Sequence, residues 1–465
     1  MSFGCAKFVG LRDRLMPPDR PDPPIVTKPD YRHTVFGTSF ETLQFMKILL
    51  IHQNFPGQFK HLAPALVARG DEVVVLTPKV KEPTKWNGVT VLPYAVSGAS
   101  TPGIHPWLID FETKILRGTA CFEAAKVLKS KGYAPDVIVA HHGWGESLFL
   151  KDVWPEARLG LYCELYHQSG EAQTSFDPEF PSSSPGRDAL RLRMKNLNNR
   201  LHEEVMDAGL SPTQFQAATY PEMYQSRMTV AHDGIDTDKV RPNPQARLTL
   251  PDGRAIVPEN EVVTFINRNF EPYRGYHIFM RALPELLRRR PNAQVVLLGG
   301  DETSYGAKPP KGTTWKQRFI DEVRGQVSDS DWARVHFLGR VPYSDFLSVI
   351  QISTVHVYLT YPFVLSWSLL EAMSAECAIV ASDTAPVREV IQDGDTGVLV
   401  DFFDRDALIE KTCILLDAPE RRMMLGSNAR RYVRERYDLR RTCLPRQLKW
   451  VYDLANARPV RTPRD

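Results

Sequence analysis

From residue 46 onward, runs of four to six apolar residues alternate with longer amphipathic stretches. In the first half the apolar runs are KILLIHQ, EVVVLT, VTVLPY, DVIVAHH, RLGLYCELYH and MTVAHDGID. HLAPALVARG reads as a helix stopped by Gly70, and FETKILRGTACFEAAKVLKSKG as a long amphipathic helix. Apolar runs without alternation mark strands covered on both faces. Strands separated by helices build βαβ units and hence a parallel sheet. The rhythm stops between Thr237 and Asn260, where prolines stand at 242, 244, 251 and 258, so residues 237–260 read as a linker. It restarts with VVTFINRNF, HIFMRALPELLRRR, AQVVLLGGD, RVHFLGRV, TVHVYLTY, AIVASDT and TGVLVDFFD. The expected fold class is therefore α/β, with two doubly wound domains, 46–236 and 261–430, facing across a cleft. Residues 431–465 form a C-terminal helix that crosses back to the first domain. Ligands of such sheets bind at the carboxyl ends of the strands.

The first 45 residues are different. MPPDRPDPPIVTKPD is dense in proline and charge, as extended tails are. Two readings stand: a flexible tail, or a start placed too early, with Met46 the true beginning. The 58 basic and 55 acidic residues nearly cancel, to +3, which argues against nucleic acid as a partner. The six cysteines form no CxxC pair and flank no histidine at zinc spacing. Isolated cysteines fit a reducing compartment. No apolar run reaches the roughly 18 residues of a membrane span, and the start lacks a signal-peptide core. The expectation is a cytoplasmic protein.

Candidate chemistry concentrates between Tyr358 and Val400. A strand ends, Pro362 breaks the run, and a helix starts near Leu365 or Ser366 with Glu371 in its second turn. Free N–H groups at that start, with the Ser366 hydroxyl, suit a diphosphate. Glu371 can accept both hydroxyls of a ribose. A second signal is NRNFEPYRGYHIF, where Arg268 and Arg274 bracket a loop that opens a helix near Gly275. Two guanidinium groups beside a helix start bind a diphosphate strongly, although arginines in loops are also commonly just solvated.

In NFPGQF, Gly57 permits close backbone approach, to a ligand or only within a turn. LLGGD places Gly299 at a strand end. His141 and His142 end another strand. Adjacent strand residues face opposite ways and no third ligand stands at a known spacing, so a metal site is not expected. Glu164, Tyr166 and His167 lie in the polar, aromatic stretch 164–180. They are candidates for contact with an acceptor, or parts of an ordinary surface loop. Arg187, Arg191, Arg193, Lys195 and Arg200 cluster on one predicted helix. That helix is a solvated face, or a peripheral contact with phospholipid at the inner membrane face or with a lipid-diphosphate acceptor.

Together the residues from Tyr358 to Gly397 resemble the donor-binding region of retaining glycosyltransferases of family 4, which have two Rossmann-like domains (the GT-B architecture). Glu371-Ala372-Met373 and Glu389-Val390-Ile391 through Gly394 and Gly397 match in order. The resemblance covers most of residues 46–430. It implies a nucleoside-diphosphate sugar as donor, a glycan or lipid-linked acceptor, retention of configuration and no metal or other cofactor. It implies that Arg268 and Arg274 neutralise the leaving diphosphate, Arg274 standing where the family has lysine and one residue further on. It implies that His141 touches the transferred sugar, that Gly57 lines the cleft beneath the phosphates and that Gly299 flanks the base. The family's first glutamate falls on Phe363, which cannot accept the sugar's hydrogen bonds. Backbone groups of Val364 and Leu365 would then hold the sugar, or donor preference differs, or activity is lost. A bacterial subgroup of the family carries a similar Tyr-Pro-Phe-Val-Leu-Ser-Trp-Ser run, which favours an altered site over a dead one.

Three alternatives compete. A nucleotide-sugar 2-epimerase on the same scaffold needs acidic residues poised around a sugar carbon, and no such set is identifiable. A catalytically silent nucleotide-sugar-binding protein is encouraged by Phe363. A dinucleotide-dependent oxidoreductase is disfavoured, because neither first βα turn contains GxGxxG.

Overall fold

A computed structural model of the chain describes residues 45–168, 175–181 and 186–456. Apart from Phe45, the expected tail lies outside the described residues. The apolar runs become strands because each is inaccessible along nearly its whole length. In the first domain these are β1 (Lys47–Ile51), β2 (Glu72–Thr77), β3 (Thr84–Trp86), β4 (Val89–Pro93), β5 (Val137–Ala140), β6 (Arg158–Tyr162), β7 (Ala208–Ser211) and β8 (Met228–Val230). They form one sheet of order β3-β4-β2-β1-β5-β6-β7-β8, parallel except for the β3–β4 pair.

Two of these strands carry no apolar run. Edge strand β3 reads Thr-Lys-Trp and is largely exposed, as an edge tolerates. Strand β7 reads Ala-Gly-Leu-Ser. Its Gly209 is required by space, since a Cβ there would meet Met228 at 2.9 Å and the Cys163 sulfur at 3.1 Å.

The stretch expected to be a linker is instead part of the second domain. Residues Leu248–Thr249 (β9) and Ala255–Ile256 (β10) pair as a small antiparallel hairpin. Val240, Ala246, Leu248, Leu250 and Ile256 are buried in the core beneath the second sheet. The prolines break its periodicity without preventing burial. The second sheet contains β11 (Val262–Asn269), β12 (Gln294–Gly300), β13 (Val335–Gly339), β14 (Val355–Tyr358), β15 (Ala378–Ser382) and β16 (Val398–Val400). Its order is β13-β12-β11-β14-β15-β16, parallel throughout.

In each sheet the strand order reverses beside the first strand, at β1/β5 and at β11/β14. Those switch points are where doubly wound sheets bind ligands. The chain crosses between the domains twice, and the crossings run side by side. Ile235 donates to the Tyr437 carbonyl and Leu439 donates to the Ile235 carbonyl, both at 2.8 Å. Buried Asp438 clasps the junction, accepting from the Arg440 and Arg441 N–H groups at 2.9 and 2.7 Å and from the Thr237 hydroxyl.

After the second crossing, the helix Leu444–Asn456 lies on the first sheet, burying Trp450, Val451 and Leu454 in its core. It meets β6 at Gly160, where an added Cβ would stand 2.5 Å from Leu454 and 2.6 Å from Trp450. Gly160→Val is therefore expected to destabilise the protein by about 1–3 kcal/mol, the cost of overpacking a closed contact. Urea unfolding followed by tryptophan fluorescence checks it; an unchanged midpoint would refute the tight packing.

Candidate functional site

Residues just past the ends of β5, β6, β11 and β14 line one cleft of about 540 Å³ between the two domains. On the first-domain wall, the pairing of Ile51 with Ala140 sets His52 beside His141, with ring centroids 5.3 Å apart. The His52 Nδ1 accepts the Asn54 N–H at 3.0 Å, so its Nε2 carries the hydrogen and donates to Gln58 at 2.6 Å. Burial, with repulsion from His141, pushes the His52 pKa down to about 4. Gly57 packs over this imidazole. Its φ is +44°, and a Cβ would stand 2.2 Å from the ring. The glycine is thus needed for a close approach to His52.

His141 lies between the Trp144 and Tyr162 rings, at 4.2 and 5.3 Å. Its Nε2 is 3.6 Å from the Glu164 carboxylate. Glu164 exposes 43% of its side chain into the cleft. Burial by surrounding groups opposes its ionisation, but His141 outweighs this and holds the carboxyl below the usual range.

Behind the second-domain wall lies Arg274, which does not itself line the cleft but touches Tyr305, Phe363 and Val364, which do. Gly275, at φ +68°, lets this loop press on Leu359, where a Cβ would stand 2.3 Å away. Arg274 is 6% exposed. Its Nη1 donates to the Thr360 hydroxyl at 2.9 Å and to the Val364 carbonyl at 3.0 Å. The guanidinium lies 5.5 Å from the Tyr305 ring centroid and 5.6 Å from that of Phe363. No carboxylate among the described residues is within ion-pair distance of it.

Glu271 organises the opposite side. Its Oε2 accepts the Ser304 and Tyr305 N–H groups at 2.8 and 2.9 Å, which places the Tyr305 ring. Burial raises the Glu271 pKa to about 7 against the pull of those N–H groups and of Arg274 and Arg268. Arg268 is exposed on β11.

Several expected donor contacts are corrected. Phe363 and Val364 line the cleft. Leu365 instead turns into the core beside Leu369 and Leu370. Ser366 is the N-cap of the helix Trp367–Ser374, with its hydroxyl accepting the Ser368 N–H at 3.3 Å. Its own N–H already donates to the Tyr358 hydroxyl at 3.0 Å, so that group is not free for a phosphate. Gly299 is a packing glycine, since a Cβ would meet the Asn267 carbonyl at 2.8 Å and the Phe270 ring at 3.0 Å. Glu371 is half-buried and accepts the Tyr343 hydroxyl at 2.7 Å. Burial raises its pKa, while Tyr343 and Lys60 of the first domain oppose the rise.

The proposed acceptor residues divide. Glu164 and His167 reach the cleft. Tyr166 faces a shallower depression that it shares with His167, Arg193 and Arg200, and its hydroxyl accepts from Arg200 at 3.2 Å. The basic stretch is two helices, Asp188–Lys195 and Leu197–Val205. Arg191 and Lys195 turn to the cleft, whereas Arg187 and Arg193 are exposed outside it. Among the described residues no helix is long and apolar enough to cross a membrane.

Three contacts that close the cleft have no sequence signature. Residues 175–181 leave the first domain and dock on the second. Phe176 packs on Tyr361 and Phe402, and Phe180 on His277 and Trp315. The Asp177 carboxylate is 2.9 Å from His277 and accepts the Tyr361 hydroxyl at 2.6 Å. Glu389 accepts the N–H groups of Gln214 and Phe215, both at 2.8 Å, and so caps the first-domain helix Gln214–Ala218. Asp233 accepts from the Tyr162 hydroxyl at 3.0 Å and the Trp367 indole at 3.0 Å.

Two Rossmann-like sheets facing across an interdomain cleft define the GT-B class of fold, and solved structures agree. Sucrose-phosphate synthase from Thermosynechococcus elongatus aligns with a TM-score of 0.66 at 18% identity, covering 88% of this chain and 98% of that one. Anabaena HepE in complex with UDP-glucose aligns at 0.59 with 14% identity, over 89% and 100%. Residues 69–240 match the Glycosyl transferase family 4 group and residues 251–432 match Glycosyl transferases group 1. The chain belongs with the group 1/family 4 glycosyltransferases. Phosphatidyl-myo-inositol mannosyltransferase of Mycolicibacterium smegmatis is 29% identical over 208 residues, 44% of this chain and 47% of the relative. The chain thus aligns with about half the length of that relative. D-inositol 3-phosphate glycosyltransferase of Nocardioides sp. is 23% identical over 356 residues, 74% of this chain and 73% of the relative. These relatives do not favour the 2-epimerase reading.

The domain-bridging Asp233 makes stability pH-dependent. Burial raises its pKa to about 7, against about 4 in an unfolded chain. The folded state therefore binds the proton more tightly. This contribution is complete below pH ~4 and is lost as pH rises through ~7. Relative to the parent protein, Asp233→Asn is expected to gain stability between those limits, at up to about 1.4 kcal/mol per pH unit. Urea unfolding at pH 4.5 and 7.5 checks the sign; parallel shifts at both would refute it.

Proposed function

We propose that the protein transfers a sugar from a nucleoside-diphosphate sugar to an acceptor hydroxyl with retention of configuration, in glycan or glycolipid synthesis. The observation that carries this reading is Arg274, a buried cation at the β11/β14 switch point whose partners within bonding distance, among the described residues, are all neutral. A buried guanidinium with no carboxylate in bonding contact can take an anion. A nucleoside diphosphate supplies it, and Arg268, near the end of β11, adds a second positive charge.

As the glycosidic bond to the diphosphate lengthens, negative charge grows on the leaving phosphate. Arg274 is already fixed by Thr360 and Val364, so it stabilises that charge without reorganising. Glu371, held by Tyr343, serves the ribose hydroxyls. The sugar rests between the Phe363–Tyr305 face and the His141–Glu164 wall, where Glu164 accepts sugar hydroxyls that Phe363 cannot. The acceptor enters from the first-domain side, and its hydroxyl proton passes to the departing phosphate oxygen. The arginines supply the cationic charge, so the proposed transfer needs no divalent metal. Support for a nucleotide-sugar donor comes from HepE, a fold neighbour solved with UDP-glucose. The mannosyltransferase and inositol phosphate glycosyltransferase relatives support sugar transfer.

A thermal-shift screen of UDP, GDP, ADP and their sugars, with chelator present, is the direct test. One nucleotide is expected to raise the melting temperature, with the shift lost in Arg274→Ala. With an acceptor in hand, Arg274→Ala is expected to lower kcat by about 10²–10³. Binding without transfer or donor hydrolysis would point to the silent binding protein that Phe363 also permits. No shift with any nucleotide would overturn the donor site.

A further inference from the structure

The first-domain wall of the cleft carries a second group of cations. Lys114 projects from the helix Ile109–Ser130, and Arg191 and Lys195 from the helix Asp188–Lys195, one turn apart. All three line the cleft. Lys114 is buried, with its Nζ 2.7 Å from Asp110. Arg191 pairs with Asp188 at 3.1 Å. Lys195 has no carboxylate within ion-pair distance among the described residues. The acid nearest to it in effect is Asp110, which Lys114 already engages, while Lys114 and Arg191 both repel it. Three cations thus share two carboxylates on a cleft wall, with His167 beside them.

Lys114 is packed in place, while Lys195 is exposed. Gly145, at φ +94°, lets the loop after β5 press on Lys114, where a Cβ would stand 2.5 Å from the Lys114 Cβ. That same loop carries His141 and Trp144, so Lys114 packs against the loop whose residues face the proposed transferred sugar. A carboxylate is satisfied by one such cation. Donors arriving from two helices suit a group with several terminal oxygens.

We propose that Lys114, Arg191 and Lys195 recognise a phosphate group carried by the acceptor. This rests on the transferase reading and adds a substrate class to it: the acceptor is a phosphorylated alcohol, lipid-borne or soluble. Its phosphate binds the first-domain cations while its free hydroxyl reaches the sugar at His141 and Glu164. The donor diphosphate keeps the other cationic site, so the two phosphate-bearing substrates are sorted by domain.

The test uses the full chain, saturated with the nucleotide identified by the thermal screen so that Arg268 and Arg274 are occupied. Glycerol 3-phosphate is titrated calorimetrically, with glycerol as the uncharged control. Binding is expected for the phosphate only, and is expected to weaken roughly tenfold or more in Lys195→Ala and in Arg191→Gln. Nucleotide affinity should be retained in both variants, which also reports that they fold. Equal affinity in parent and variants, or no binding of glycerol 3-phosphate, would overturn the proposal. Should the parent bind no nucleotide, the donor reading alone fails. The same titration on the free chain then decides the cation cluster by its dependence on Lys195. Flotation with phosphatidylcholine vesicles, with and without phosphatidic acid, separates the sources. Lys195-dependent recruitment by phosphatidic acid assigns a lipid-borne phosphate, and its absence alongside glycerol 3-phosphate binding assigns a soluble one.

Discussion

A positive charge buried with no carboxylate in bonding contact among the described residues governs how the second domain's cleft-side loops are built. Removing a guanidinium from water costs several kcal/mol unless the protein replaces its solvation. Around Arg274 that replacement comes from the Thr360 hydroxyl, the Val364 carbonyl and two aromatic faces. Each aromatic face contributes about 0.5–2 kcal/mol. The loops that supply these partners are fixed by secondary ties. Glu271 anchors Ser304 and Tyr305, and Tyr358 anchors Ser366. None of the partners carries a negative charge. The loops after β11, β12 and β14 therefore converge on one buried cation.

The acids do different work from the cations. Asp438, Asp177, Glu389 and Asp233 each bridge the two domains and sit away from the buried arginine. Each accepts from groups on both sides of the junction or from the opposite domain. Asp438 locks the twin crossing, Glu389 caps a helix across the cleft, and Asp177 seats the docking segment. Because the two switch points belong to separate sheets, any ligand that touches both needs this relative placement. Positioning of that kind contributes strongly to rate when two reactants must meet. Asp233 differs from the others in that burial raises its pKa to about 7 despite the Tyr162 and Trp367 donors.

The strands were legible because burial on both faces leaves an unbroken apolar run. Strand β7 was hidden because close packing there demands Gly209 and other small residues, not branched ones. The β9–β10 hairpin was hidden by prolines, which remove periodicity but not apolar surface. In the site, Arg274, Phe363, His141 and Glu164 were legible as strand-end or loop residues of unusual type. The role of Glu389 was not, although the residue itself was singled out, because its partners lie 175 and 174 positions away. Lys114 stands in an ordinary amphipathic helix, and nothing local marks it as cleft-facing. Gly57 and Gly299 were marked as ligand-approach positions, yet the atoms that require them glycine belong to His52, Asn267 and Phe270. A glycine reports a close approach without naming what approaches.

The two departures from the family pattern become one change when placed in space. Arginine stands at 274 where the family has lysine, and phenylalanine stands at 363 where the family has glutamate. The guanidinium carbon lies 5.6 Å from the centre of the Phe363 ring. A carboxylate at that position would be close enough to pair with the arginine. Arginine binds carboxylates in a fork and holds them more specifically than a lysine point charge does. The pair would neutralise the charge that the proposed diphosphate needs. An aromatic ring avoids this. It presents its negative face to the guanidinium, helps keep it buried and leaves its net charge intact. The loss of a hydroxyl acceptor at 363 then follows from gaining a planar, fixed cation at 274. In the proposed reading the acceptor role passes to the other wall of the cleft, where His141 holds the Glu164 carboxyl below its usual range.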